Sequence, residues 1–261
     1  MSFVVVCLVA LIASALTLFS GFGLGTLLLP AFALVFPVEI AVAATAVVHL
    51  ANNLFKLLLV GRHADPRTVL ALGLPAIPAA ALGAWLLGKL SVVSSLAHYE
   101  LFGRAAEVTP VKLAIGLLIA IFAGVELLPN ADRFSLAPRW LPAGGVAMGF
   151  FGGLSGHQGA LRSIFLIKQG LSKHAFIGTG VVCAVLVDLV RVTVYGRSLP
   201  ALLTAPESSN QASLVVAATV SALAGAWVGA RLLGKVTLDF VRKLVGVMLL
   251  FLAAGMAAGL I

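Results

Sequence analysis

Long apolar stretches run along the chain near 3–36, 40–59, 68–88, 111–128, 141–161, 174–195, 212–233 and 243–261, broken by short polar segments. A hydrocarbon core roughly 30 Å thick takes about 20 helical residues to cross, so these stretches predict about eight membrane helices. The runs are continuous rather than alternating, which selects helices over the strands of a membrane barrel. The first stretch is too long for one straight span, since about 34 residues of helix reach roughly 51 Å. Its glycines at 21–25 predict a break, and Pro30 cannot donate a backbone hydrogen bond. A single crossing with an unwound middle and a hairpin both satisfy the sequence.

The pattern returns after about 135 positions. Ser20-Gly21 recurs as Ser155-Gly156, Asn53 and Lys56 as Asp188 and Arg191, and Gly61-Arg62 as Gly196-Arg197. Gly83-Ala84-Trp85 matches Gly225-Ala226-Trp227 with a further shift of about seven residues. The expected architecture is an all-α integral membrane protein of two homologous four-helix halves, 1–128 and 141–261, with glycine-broken helices near 21–25 and 152–159. Four crossings per half would make the repeats parallel and an odd number would invert them. The four-plus-four reading puts Lys56, Arg62 and Arg67 on the same side as Arg191 and Arg197. Paired glycine-interrupted segments in two halves point to a secondary transporter and to its substrate site.

The connections carry the polar residues. Pro129 through Pro142 reads as the linker between the halves. Segments 91–110, with His98, Glu100, Arg104 and Glu107, and 197–211 read as aqueous loops.

Composition agrees with a membrane setting. Mean hydropathy is +1.15 and 10% of residues are charged, too apolar for a soluble domain of this size. The net charge of +8 comes mostly from basic residues at span ends, where they anchor to headgroups. With no dense basic tract, nucleic acid is not an expected partner. Cys7 and Cys183 sit in apolar runs with no metal or redox spacing, so neither a metal nor a cofactor is expected. Ala13-Ser14-Ala15 resembles a signal-peptide cleavage site, but the apolar run continues past it, and it reads as part of the first span.

A helix broken inside a membrane leaves backbone N–H groups unpaired, and the half-helix that follows carries partial positive charge at its start. That combination binds anions. Ser20, Gly21, Gly23 and Gly25 at the first break, and Ser155, Gly156, His157 and Gln158 at the second, are therefore candidate substrate-binding residues. The bland alternative is close helix packing, which is the reading for Gly225-Ala226-Trp227. Arg162, a turn past the second break, has the planar fork that holds an oxyanion by two bonds; a headgroup anchor is its alternative. His157 can donate to an anion or carry a coupling proton, or simply brace the loop. Asn53 is a further substrate candidate. Lys56, Asp188 and Arg191 are candidate gating or coupling groups, since charges within spans face the bundle interior, often paired. A structural Asp188–Arg191 bridge competes with that role, and His49, one turn before Asn53, is a weaker candidate.

At these motifs the chain resembles the TauE/SafE family of sulfite and organosulfonate exporters. The resemblance rests on Gly21-Phe22-Gly23-Leu24-Gly25 followed by Pro30, on Ala43-Ala44-Thr45, on Gly152-Gly153-Leu154-Ser155-Gly156 and on the Gly-Ala-Trp spans. It implies an eight-helix carrier of small anions, often oxidised sulfur compounds, in a bacterial inner membrane. The second copy departs from the family pattern at His157, Gln158 and Arg162, and has Phe165 where Pro30 would align. The expected function is secondary transport of a small anion by alternating access, with the lipid bilayer as surroundings and a proton as candidate coupling ion. A passive anion channel is the alternative. An intramembrane enzyme lacks a nucleophile–base pair or a His-Glu-x-x-His motif in its support, and no nucleotide-binding motif is present.

Overall fold

The computed structural model describes residues 2–20, 24–101, 103–127, 136–196, 208–231 and 238–260. Its helices are α1 (Ser2–Ser20), α2 (Leu24–Ala33), α3 (Val38–Val60), α4 (Pro66–Leu90), α5 (Pro110–Leu127), α6 (Leu141–Ser155), α7 (Gly159–Leu166), α8 (Lys173–Tyr195), α9 (Ser208–Arg231) and α10 (Leu238–Ala257). Short 3₁₀ turns lie at Gly61–His63, Pro138–Trp140 and Ile167–Gln169. The apolar stretches thus became helices, as a chain without water to bond its backbone requires. Four of them, Ile40–His63, Pro66–Leu90, Lys173–Tyr195 and Gln211–Gly229, have the length and apolar character of membrane spans. Their outer faces remain apolar, with Leu58 85% and Val216 63% exposed, as lipid-facing side chains are.

Local chemistry sets the helix ends. The Asp65 carboxylate caps α4, accepting from the Thr68 backbone N–H at 2.8 Å and its hydroxyl at 2.6 Å, while Pro66 fills the first helical position. Ser172 caps α8 by accepting from Ala175 N–H at 3.2 Å. Gly156 closes α6 with φ of 85°, in the left-handed region, and sends its N–H to Gly152 O.

Glycine contacts reveal the helix directions. Gly145, Gly149 and Gly153, four residues apart on one face of α6, lie against the backbone of Leu72, Ala76 and Ala80, so α6 runs parallel to α4. Asp65 N–H donates to Thr179 Oγ1, and Gly73 lies against Cys183 and Leu186, so α8 also runs parallel to α4. Gly225 and Gly229 of α9 meet Leu11 and Ala15 of α1, again in parallel. By contrast, Gly178 touches Val60 and Ala64 while Asp188 bonds Asn53, so α3 and α8 are antiparallel. Gly116 against Ala257, with Gly246 against Leu127, makes α5 and α10 antiparallel too.

Three expectations change as a result. Since α6 and α8 run the same way, the chain must return between them, and α7 is that return arm. The stretch near 141–161 therefore enters a hairpin rather than forming one crossing, and α1 and α2 likewise pack against each other. The second break narrows from 152–159 to Gly156 through Gln158, because Gly152 and Gly153 are helical. Antiparallel α3 and α8 send Arg62 and the end of α8 toward opposite sides, not the same one; Arg197 itself lies outside the described residues.

Segment 91–110 is not a plain loop either. Ala97–Leu101 (β1) and Arg104–Val108 (β2) form an antiparallel hairpin, with His98 opposite Glu107 and Gly103 at φ 73° in the turn. Its charged residues suggested only solvent exposure. The hairpin docks on the end of α10, where Tyr99 Oη donates to Ala258 O, Glu107 N–H to Gly259 O at 3.1 Å, and Lys112 Nζ to Gly259 O at 3.4 Å.

Candidate functional site

The crossing of α3 and α8 gathers the buried polar residues. Asp188, fully buried, accepts from Asn53 Nδ2 at 2.7 Å on Oδ2 and from Gln158 Nε2 at 3.0 Å on Oδ1. His49 Nδ1 lies 2.7 Å from the same Oδ2. His49 and Asn53 are four apart and share a face of α3, so both reach one carboxylate. Asn52, the next position round the helix, points elsewhere and accepts from Ser14 Oγ of α1 at 3.0 Å.

The start of α2 meets the second break here. A Cβ added to Gly25, at the start of α2, would stand 3.5 Å from Gly156 O and 3.5 Å from the His49 ring. A Cβ on Gly156 would come within 2.5 Å of Arg191 Nη1, so the guanidinium lies directly on the second break. Arg191 is fully buried. Its Nη1 donates weakly to Gly152 O at 3.4 Å and stands 3.7 Å from Asp188 Oδ1, while Nε and Nη2 have no partner among the described residues. Asp188 therefore leans on Asn53, His49 and Gln158 more than on Arg191, and the expected i,i+3 bridge is loose.

Ser155 Oγ donates to Phe151 O at 3.1 Å, so its bond with His157 Nδ1 at 2.8 Å must come from the histidine N–H. The ring stacks on Phe122 of α5, 5.8 Å between centroids at 11°. Nε2 is then a buried lone pair without a partner among the described residues, which can accept a proton or hydrogen bond but not donate one. Arg162 is buried with its Nε beside Gly180 of α8, so its side chain runs inward rather than to headgroups. Lys56 is buried as well, within electrostatic reach of Arg162 and Asp188.

The structure thus brings together Gly25, Asn53, Lys56, Ser155, Gly156, His157, Gln158, Arg162, Asp188 and Arg191. Ser20 ends α1, and Gly21 and Gly23 lie outside the described residues. The sequence reading undervalued His49, although its i,i+4 spacing to Asn53 was the available signal. It also passed over the Ser14–Asn52 pair and Tyr195, whose hydroxyl bonds Gly153 O.

The family whose model matches residues 6–256 is described as Sulfite exporter TauE/SafE. The chain belongs to this family. Comparison with curated proteins and with solved structures gives no match. Membership in TauE/SafE makes the chain a multi-pass membrane transporter rather than an enzyme, of a family that exports sulfite or sulfonates.

Proposed function

We propose that this TauE/SafE chain is a secondary carrier of a small oxyanion, with sulfite or a sulfonate as the substrate class, working by alternating access in a bacterial inner membrane. The observation that carries the reading is the charge where the start of α2 meets the second break. Two buried guanidiniums, Arg162 and Arg191, face one buried carboxylate, Asp188, and Lys56 adds a further basic group. Away from water a guanidinium edge without partners is costly, and an anion bound on the Nε and Nη2 of Arg191 removes that cost. The unpartnered Nε and Nη2 of Arg191 form the edge that a carboxylate-like or sulfonate-like group engages with two parallel bonds.

The halves 1–128 and 141–261 are proposed as inverted repeats, each an opening hairpin followed by three longer helices. Matched helices α3 and α8, and α5 and α10, then run oppositely about an axis in the membrane plane. Such repeats place a site at mid-depth between half-helix ends, where rocking of one half against the other exposes it to either side. Coupling to protons is part of the proposal.

The test is flux into liposomes of sulfite, methanesulfonate, thiosulfate, acetate and chloride, with and without a pH gradient. A carrier gives saturable flux of an oxyanion with counterflow. Flux that never saturates and shows no counterflow assigns a channel, and movement of none of the anions above empty liposomes refutes the anion reading.

A further inference from the structure

His49, Asn53 and Asp188 form a triangle that fits two proton arrangements. Asn53 Nδ2 is a donor, 2.7 Å from Asp188 Oδ2 and 3.1 Å from His49 Nδ1, while that Nδ1 is 2.7 Å from Oδ2. With the proton on Nδ1, the imidazole donates to a carboxylate and faces the Asn53 amide as a second donor. With the proton on Oδ2, the carboxylic acid donates to the Nδ1 lone pair, and the Asn53 amide keeps its contact with the carboxyl. The same heavy-atom positions serve both states.

Exposure gives the pair a direction. The His49 side chain keeps 14% of its surface accessible, and Asp188 keeps none. His49 lies beside Gly25, where the start of α2 meets the second break, so its ring joins the buried carboxylate to the site. His157 lacks this placement: its Nδ1 is committed to Ser155, and its Nε2 is buried with no hydrogen-bond partner among the described residues.

We infer that His49 and Asp188 together are the proton-carrying pair of this transporter, an inference that rests on the proposed anion transport. A proton from the accessible side adds to His49 Nε2 as the Nδ1 proton passes to Asp188 Oδ2. The pair goes from an imidazole with a carboxylate to an imidazole with a carboxylic acid, gaining one positive charge. A neutral acid accepts hydrogen bonds less strongly. Gln158 Nε2, now donating to Oδ1, is released toward an incoming anion, and Arg191, 3.7 Å from Oδ1, loses its resident counter-charge. The resident carboxylate thus stands in for the anion until a proton replaces its charge. The other charged or titratable groups facing the pair act in the same sense: Lys56 from α3, Arg162 from α7 and Arg191 from α8 favour the carboxylate in the empty site and the anion in the loaded one. His157 lies at the turn between α6 and α7 with its Nδ1 on Ser155, and α2 brings the Gly25 backbone beside the His49 ring.

The test is the number of protons moved per anion, read in proteoliposomes from the pH gradient that just balances an opposing sulfite gradient. This ratio is independent of the amount and speed of the protein, and sulfite's own titration is common to all variants. We expect His49→Gln and Asp188→Asn to carry about one proton fewer per sulfite than the wild type, and His157→Gln to keep the wild-type ratio. An unchanged ratio in His49→Gln overturns the pair, as does a loss confined to His157→Gln. Should the site variants fail to fold, calorimetry of sulfite binding to the wild type in two buffers of different ionisation enthalpy decides the matter. Uptake of about one proton beyond sulfite's own supports the pair, and none overturns it. A wild type that neither binds nor moves sulfite or methanesulfonate removes the anion reading itself, a result distinct from transport with an unchanged ratio.

Discussion

Asn53 and Asp188 stand 135 positions apart in the chain and are hydrogen-bonded at 2.7 Å. That separation is the offset at which the sequence repeats. In the proposed inverted repeat, equivalent residues touch each other only on the axis that relates the copies, and the antiparallel course of α3 and α8 gives that axis its direction. The bond is where the proposed symmetry is broken, an amide on one side and an acid on the other.

Exchanging the two residues tests that relationship. Asn53→Asp alone sets a second carboxylate against Asp188, and should lower folded stability by roughly 3–5 kcal/mol. Adding Asp188→Asn restores one acid facing one amide, so the double variant should recover at least about 1.5 kcal/mol of that loss. Denaturation of detergent-solubilised protein measures it. Additive losses would mean that the pair does not act as a unit.

Glycines divide sharply by surroundings. An added methyl at Gly149 overlaps the Ala76 backbone and at Gly225 the Leu11 backbone, whereas at Gly124 it meets open space. Gly149→Ala and Gly225→Ala should lower the melting temperature by several degrees. Gly124→Ala should hold or raise it, because alanine favours helix by up to about 1 kcal/mol. Gly156→Ala should be harmful on two counts, its positive φ and the Arg191 guanidinium beside it.

These contacts also mark how far the sequence could be read. Element positions were legible because apolar runs in a membrane have few options besides helix. Directions were not: Gly153 reads as part of the second break, and only the backbone of α4 lying against Gly145, Gly149 and Gly153 reveals a packed helix. Most of the clustered polar residues were legible because polar groups in apolar runs are expensive and the offset paired them. His49 was underweighted because sequence spacing gives a face of α3 but not the carboxylate across from it. The role of these residues in transport stays with the experiments above.

Arg162→Lys addresses the oxyanion fork. A lost charge-assisted hydrogen bond is worth roughly 1.5–3 kcal/mol, about a tenfold or greater rise in the half-saturation concentration. Wild-type affinity and rate in flux assays of Arg162→Lys would remove this residue from substrate contact.

Asp65 predicts a pH effect at the aqueous end of α4. The two hydrogen bonds from Thr68 hold its carboxyl below the usual carboxylate range. A folded-state pKa lowered in this way adds stability above the unfolded value of about 4 and loses it as pH falls through the folded value. Asp65→Ala should cost about 0.5–2 kcal/mol at pH 7, and the gap from wild type should shrink in melts carried out toward pH 3.

The hairpin docked on the end of α10 bears on the order of folding. Tyr99 and the Ala258 carbonyl it engages are separated by 159 residues, so most of the chain must be made before this contact can form. Pairings across such a sequence distance come after local ones, because the intervening loop must first be closed. Until then the Tyr99 hydroxyl and the Glu107 N–H have only water to bond. Closure of this latch is therefore a late event in assembly, and protection of the hairpin from protease, followed during synthesis, would time the arrival of α10 in the bundle.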